Sequence, residues 1–385
     1  MSRSRGGAPG KPGRQGHAAA PTRADERAAA LFDRIEDRLR DAPDGFHDAR
    51  PPATADALSD AALPDDERAL WRRWDGIDFA AGEARLLPAR EIAGATAAAL
   101  AEGLIQAGDR VVAEHGRDLF VLPEDPWAEG AGVVRVEEAG DRSPESTSVA
   151  HLVLGWLGEF QVLYDEHGDF REDLFGEDGE PTAAVQRKLC RRRLDFDPDA
   201  PNPRLRLAEL LREAGEHVAA KAELVQVIKR APEFAWPHHE LGRTFAALGE
   251  RERAVASFRR AAECTTSVPQ QAFHLAWAAW QADDRQRAAL AAEVTALRPE
   301  FALQQAGAVA ELIERERFDA AAEQLAIGLA IGPGHLELLR LRGVLAQAQA
   351  DAAAAPPEPP YPHDPSLDED DDLDDALDDD DALEP

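Results

Sequence analysis

Leu241, Gly242, Phe245, Leu248, Gly249, Ala254, Phe258 and Ala261 set the pattern that most constrains this chain. Leu241, Phe245 and Leu248 share one helical face, and Ala254, Phe258 and Ala261 share another. Small residues at Gly242 and Ala254 let two helices approach, and the large ones fill the space between them. Gly249 suits the end of the first helix, where a left-handed residue is commonly needed. The pattern predicts a helical hairpin whose apolar faces one hairpin alone cannot bury.

The pattern recurs at intervals of about 34 residues. One interval earlier stand Leu207, Ala208, Leu211, Gly215, Ala220, Leu224 and Val227, closed by Pro232. One interval later stand Leu275, Ala276, Ala279, Ala288 and Ala292, ending near Pro299. One residue short of the next interval come Ala308, Val309, Leu312, Ala321, Leu325 and Gly328, closing at Pro333. Over residues 201–334 the chain resembles the tetratricopeptide repeat family. The third unit departs from the pattern, with Ala292 and Thr295 where Phe258 and Ala261 stand in the second. The expected fold here is an all-α solenoid of about four hairpins, with an amphipathic capping helix at Leu336–Gln349.

The residues before the repeats have another texture. A helix is expected from Asp25 to Arg40, with Leu31, Ile35 and Leu39 on one stripe, ended by the Pro-rich stretch Pro43–Pro52. A short helix carrying Leu70, Trp71 and Trp74 follows Pro64. Arg85–Leu87, Val111–Glu114, Leu119–Leu122 and Val133–Glu137 read as strands, two of them at hairpin spacing around His115-Gly116. Ser148 caps an apolar helix through Leu152, Val153, Trp156 and Leu157 towards Tyr164. Trp74, Phe120, Trp156 and Leu157 are expected in the core. Leu63-Pro64, Trp74-Asp75-Gly76, Gly116 before Phe120-Val121-Leu122, the Val133–Val136 strand and the Trp156-Leu157 helix together resemble the SUKH superfamily over residues 55–175. That superfamily includes yeast cell-wall-assembly regulators and bacterial toxin-immunity proteins. The resemblance implies an α+β fold, a small antiparallel sheet with flanking helices. The Ala-rich insert Ala93–Gly108 departs from it.

The expected organisation is a basic disordered segment (1–23), the α+β domain (24–185), a linker (186–200), the repeats with their cap (201–350) and a Pro/Asp-rich acidic tail (351–385), disordered when free. From Asp351 onward there are fifteen acidic side chains and no Lys or Arg. The net charge of −31 disfavours direct nucleic-acid binding, because phosphate is repelled. The two cysteines, Cys190 and Cys264, give no disulfide framework. No run of about 18 apolar residues marks a membrane span, and no apolar stretch follows the basic N-terminus as in a signal peptide. A cytoplasmic location is the expectation.

Motifs for chemistry fail one by one. Asp195, Asp197 and Asp199 match the first ligands of a calcium loop, but Ala200 and Arg206 stand where Gly and Glu are required. His238-His239 are adjacent on a helix and do not converge, so they read as surface histidines rather than metal ligands. Cys190 lies among basic residues that favour thiolate, but no base or pocket accompanies it. Gly130-Ala131-Gly132 precedes a strand rather than a helix N-terminus, so it does not fit a phosphate loop. No cofactor or metal is expected.

The leading reading is a non-enzymatic adaptor, its solenoid groove holding a partner peptide segment and its SUKH-like domain holding a second protein. In such stacks the first helices line the concave face. With Leu241, Phe245 and Leu275 set aside as packing, the candidate contacts are Arg212, Trp236, His239, Arg243, Phe273, Trp277 and Trp280. Trp277 and Trp280 are open to a second reading, as packing between repeats. Two arginines among aromatics point to a partner with acidic and apolar side chains. The alternatives are an acidic-tail chaperone or nucleic-acid mimic binding basic partners, and an enzyme of no identified class.

Overall fold

The computed structural model describes residues 23–354 apart from 139, 177 and 178, and the side chains of residues 23–27 and 127 are likewise left aside. The expectations for residues 1–22 and 355–385 lie outside the described residues. Residues 351–354, expected in the tail, continue the last helix. The chain divides into two units, before and after the Pro299–Glu300 bond.

In the first unit, α1 (Arg23–Asp41) precedes a sheet in which neighbours in sequence are neighbours in space. Its strands, β1 (Asp48–Ala49), β2 (Ile77–Phe79), β3 (Ala84–Leu86), β4 (Arg110–His115), β5 (Asp118–Leu122), β6 (Val133–Val136) and β7 (Arg142–Ser146), pair antiparallel in that order. The helices α2 (Ala55–Asp60), α3 (Arg68–Trp71), α4 (Ala89–Ala101) and α5 (Pro126–Glu129) lie in the connections. The β4–β5 hairpin pairs His115 with Asp118 across Gly116, whose φ of 58° explains the glycine. The expected α+β architecture is present. Its Ala-rich insert forms the greater part of α4 and the turn that follows it; α4 packs along β4, and its Thr96 hydroxyl accepts a hydrogen bond from the Val111 N–H.

The core centres on α6 (Val149–Leu163), capped by the Ser148 hydroxyl, which accepts from the His151 N–H. It is buried on nearly every side, flanked by α1 and by α7 (Ala183–Phe196), and so is apolar all round. Trp156 meets Phe79, Phe120 and His115 edge-on at centroid distances of 5.6, 5.0 and 5.7 Å. Trp74, Phe120, Trp156 and Leu157 are all buried, as expected.

The segment 186–200, expected as a linker, is helical through Phe196. Its basic and acidic residues hide a buried face of Leu189, Cys190 and Phe196. Asp197 is buried too. It accepts from the Ser146 hydroxyl (2.7 Å), the Thr147 N–H (2.8 Å) and the Thr147 hydroxyl (2.8 Å). The neighbouring Glu145, 2% exposed, accepts from Arg193 and from the Asn202 amide. These contacts seat α8 (Pro201–Glu213) on β7, a strand whose Pro144 suits a sheet edge.

The successive hairpins α8/α9 (His217–Arg230), α10 (Ala235–Ala247)/α11 (Arg251–Glu263) and α12 (Val268–Gln281)/α13 (Asp284–Leu297) complete this unit. In the first two, Gly215 and Gly249 adopt φ of 79° and 77°. The following N–H reaches back to Leu211 or Phe245 and closes the helix end. The third lacks that glycine. There Asp283 caps α13 by accepting from the Gln286 N–H.

The second unit is a further hairpin, α14 (Phe301–Glu314)/α15 (Phe318–Ile331), covered by α16 (Leu336–Ala354). Ala306, Val309, Ala321 and Leu325 pack with Leu338, Leu341 and Leu345 in its core. Its turn repeats the closure, but with Glu316 at φ 58°. The expected fold class, an antiparallel sheet with helices followed by helical hairpins, is the one observed.

Candidate binding face of the first helices

The spacing of the repeats places corresponding residues of α8, α10 and α12 side by side, and all seven residues expected at the binding face join one connected cluster. Two residues missed by sequence reasoning link it. Glu240, 5% exposed, accepts from Arg212 Nε at 2.7 Å and from Arg243 Nη1 at 3.2 Å. His274, fully buried, meets Trp236 at 5.3 Å and shares a hydrogen bond with His239, Nδ1 to Nδ1 at 3.0 Å. His239 and His274 stand about one repeat apart, and that near-match to the period was the available signal for their meeting.

Phe273 stacks on His239 at 5.1 Å and lies 6.0 Å from Trp236. The Arg243 guanidinium sits 5.1 Å above the Trp277 ring, and Trp277 packs against Trp280 at 5.4 Å. Trp236, Phe273 and Trp280 are partly exposed, forming an aromatic shelf. His239 and Trp277, by contrast, are 2% and 3% exposed. They support the shelf and present almost no surface of their own. Trp277 is thus the packing residue of the tryptophan pair, and Trp280 the one with a free face.

The histidine pair corrects the expectation of surface histidines. His238 is buried as well, bonded to the Pro232 carbonyl at 2.9 Å. Burial holds the His239 imidazole well below its ordinary pKa, with His274, Arg243 and Arg212 adding repulsion. Burial lowers His274 to about 4. The His274 Nε2 and Trp277 Nε1 atoms have no hydrogen-bond partner among the described residues.

Charge on this face is balanced internally. Arg212 also contacts Glu213 at 3.1 Å, so two guanidiniums face two carboxylates. The arginines are oriented by Glu240 rather than free to seek acids, which weakens the expectation of an acidic partner. The apolar shelf is the larger feature. Near its Trp236 end a cleft of about 350 Å³ continues towards the β6–β7 turn, spanned by a 2.8 Å hydrogen bond from Gln270 to Asp141.

The other candidates resolve differently. Burial pushes the Cys190 thiol up to about 11 despite Arg193 and Arg206, the reverse of the thiolate its basic neighbours favour. Among the described residues no group of three or more His, Cys, Asp or Glu side chains is placed to hold a metal ion. Nor is any described helix long and apolar enough to cross a membrane.

No protein-family model matches the chain, and no curated protein matches it. Among solved structures it is similar to YrrB, described as a TPR protein with an unusual peptide-binding site, at 15% identity over 42% of this chain and 84% of that one, TM-score 0.27. It is similar to a thermophilic TPR protein of Thermus thermophilus, at 20% identity over 44% and 91%, TM-score 0.28. Yeast Tom70 aligns at 12% identity over 53% of this chain and 40% of its own, TM-score 0.29. At such scores the assignment of function rests on the chain's own residues.

Proposed function

We propose that the chain is a non-enzymatic adaptor whose first helices take an extended polypeptide segment along α8, α10 and α12. The observation that carries this reading is the partly exposed shelf of Trp236, Phe273 and Trp280, fixed from beneath by buried rings and flanked by arginines already held in place. A shelf built in advance binds without the entropy cost of ordering its side chains. The balanced charge favours apolar and aromatic side chains in the partner, with polar contacts from Arg243. The α+β region is the place for a second protein on this reading, supported by its SUKH-like motifs.

Selection of random twelve-residue peptides on the full chain tests the groove. Trp280→Ala and Phe273→Ala should each weaken the selected peptides at least tenfold with little change in melting temperature. Trp277→Ala is no test, since removing so buried a ring costs about 3–5 kcal/mol of stability by itself. If the peptides bind both shelf variants as they bind the parent, the shelf is not the site.

A further inference from the structure

The shelf rests on a hydrogen bond that two protonated histidines cannot make. In the 3.0 Å contact between His239 and His274, one Nδ1 carries a proton and the other accepts it. A first added proton can settle on the Nε2 of the donor ring and leave the bond in place. A second turns the acceptor into a donor, and the bond becomes a contact between two charged rings through their N–H groups. The surroundings offer that charge little relief. From α8 comes Arg212, and from α10 itself Arg243 and Glu240, the carboxylate already bonded by both arginines. From α11 the facing side chain is Phe258, at 5.1 Å from the His239 ring. α12 carries no titratable side chain besides His274, and Arg287 of α13 donates to the Ala279 and Ala282 carbonyls.

We propose that the His239–His274 pair makes the shelf acid-labile. Proton uptake parts α10 from α12 at this layer, tilts Trp236 and Phe273 out of place and releases the bound segment. The release rests on the groove reading above; the opening itself does not. Two imidazoles that are neutral when packed and free to charge once exposed bind up to two protons on opening. The ratio of open to packed shelf therefore rises up to about 100-fold per pH unit below about 6.5. This holds until the packed rings themselves take up protons, near 4 for His274. Acidification from pH 7 to 5 raises that ratio by up to about 600-fold.

The test is fluorine NMR of the full chain labelled with 5-fluorotryptophan, from pH 7.5 to 4.5, with the two resonances assigned by Trp236→Phe and Trp277→Phe. In the parent both resonances should move together and reversibly, with a proton dependence near two. In His274→Phe and in His239→Gln the dependence should fall to one or less and the midpoint should drop by at least one pH unit. Far-UV circular dichroism at pH 7.5 confirms which variant is folded, and either one suffices. Resonances that stay fixed in the parent overturn the proposal, as does an unchanged transition in a folded variant. No ligand enters this measurement. A transition without any peptide selected at pH 7.5 therefore removes the groove reading alone. A selected peptide held equally at pH 7.5 and 5 by a shelf that does not move removes the acid response alone.

Discussion

The Phe258 ring occupies the space in which Gly242 would otherwise carry a side chain. A Cβ built on Gly242 falls 2.7–2.9 Å from three atoms of that ring, and Phe258 is fully buried, so it has nowhere to go. Two effects oppose each other in Gly242→Ala. Helix propensity gains about 1 kcal/mol, and overpacking costs about 1–3 kcal/mol or more in so closed a site. Overpacking should win, lowering the stability of the first unit by about 1–2 kcal/mol in urea unfolding. A stabilised variant would mean that α10 and α11 lie further apart than described.

Asp197 offers a second measure. Replacing it with Ala leaves the Thr147 N–H without its acceptor and the buried Ser146 hydroxyl with only the Ser148 carbonyl, at 3.2 Å. Loss of charge-assisted hydrogen bonds in a buried setting should cost about 2–4 kcal/mol. Asp197→Asn retains one acceptor and should cost less. Equal stability of all three proteins would show that the contact contributes nothing.

Glu316 stands where Gly215 and Gly249 stand in their own hairpins, with φ of 58°. A side chain in that conformation costs about 1–2 kcal/mol, partly offset by the extra freedom glycine has when unfolded. Glu316→Gly should therefore stabilise the second unit by about 0.5–1 kcal/mol. Calorimetry on the full chain can follow the transition of that unit. A lower melting temperature would contradict the assigned turn.

Glu67 and the histidine pair should pull stability in opposite directions with pH. Burial pushes the Glu67 carboxyl up to about 7, Asp66 adds repulsion, and the Val149 N–H opposes both. The folded state holds that proton more tightly than the unfolded chain. Its contribution is full below the ordinary carboxylate range near 4.5 and is lost as pH rises through about 7. His274 and His239 bind their protons less tightly when folded. Their contribution is full above about 6.5 and is lost as pH falls towards about 4. Glu67→Gln should match the parent near pH 4 and exceed it by about 2–3 kcal/mol at pH 8. A constant difference between the two across that range would remove Glu67 from the account.

The hairpins were legible because apolar residues there recur in kind at a fixed interval, and Gly242 and Gly249 do what their positions imply. The strands around His115-Gly116 and the Ser148 cap were legible from local pattern. What escaped was polar sequence in buried places. β7 reads Arg-Ser-Pro-Glu-Ser, with neither alternation nor β-branched residues, because its partners are Asp197, Arg193 and Asn202, far along the chain. α7 was hidden for the same reason, its charges and nearby prolines outweighing three buried apolar residues in the pattern. The seven candidate contacts lie in one cluster, but the depth of each is not legible from the repeat pattern. Whether a histidine or tryptophan lies on the shelf or beneath it depends on the residue one repeat away, as His239 depends on His274.

Glu145 has a consequence for how such a protein can be taken apart. Its carboxylate answers Arg193 from α7 and Asn202 from α8, so it belongs equally to strand and to hairpin. A cut made near residue 200, where the change of composition invites it, leaves the Glu145 carboxylate with Arg193 alone on one fragment and its amide donor Asn202 on the other. The first hairpin is therefore not a cassette that can be lifted out and grafted elsewhere. A fragment that keeps the hairpins without the sheet needs an apolar residue at Asn202, or a new acceptor to face it.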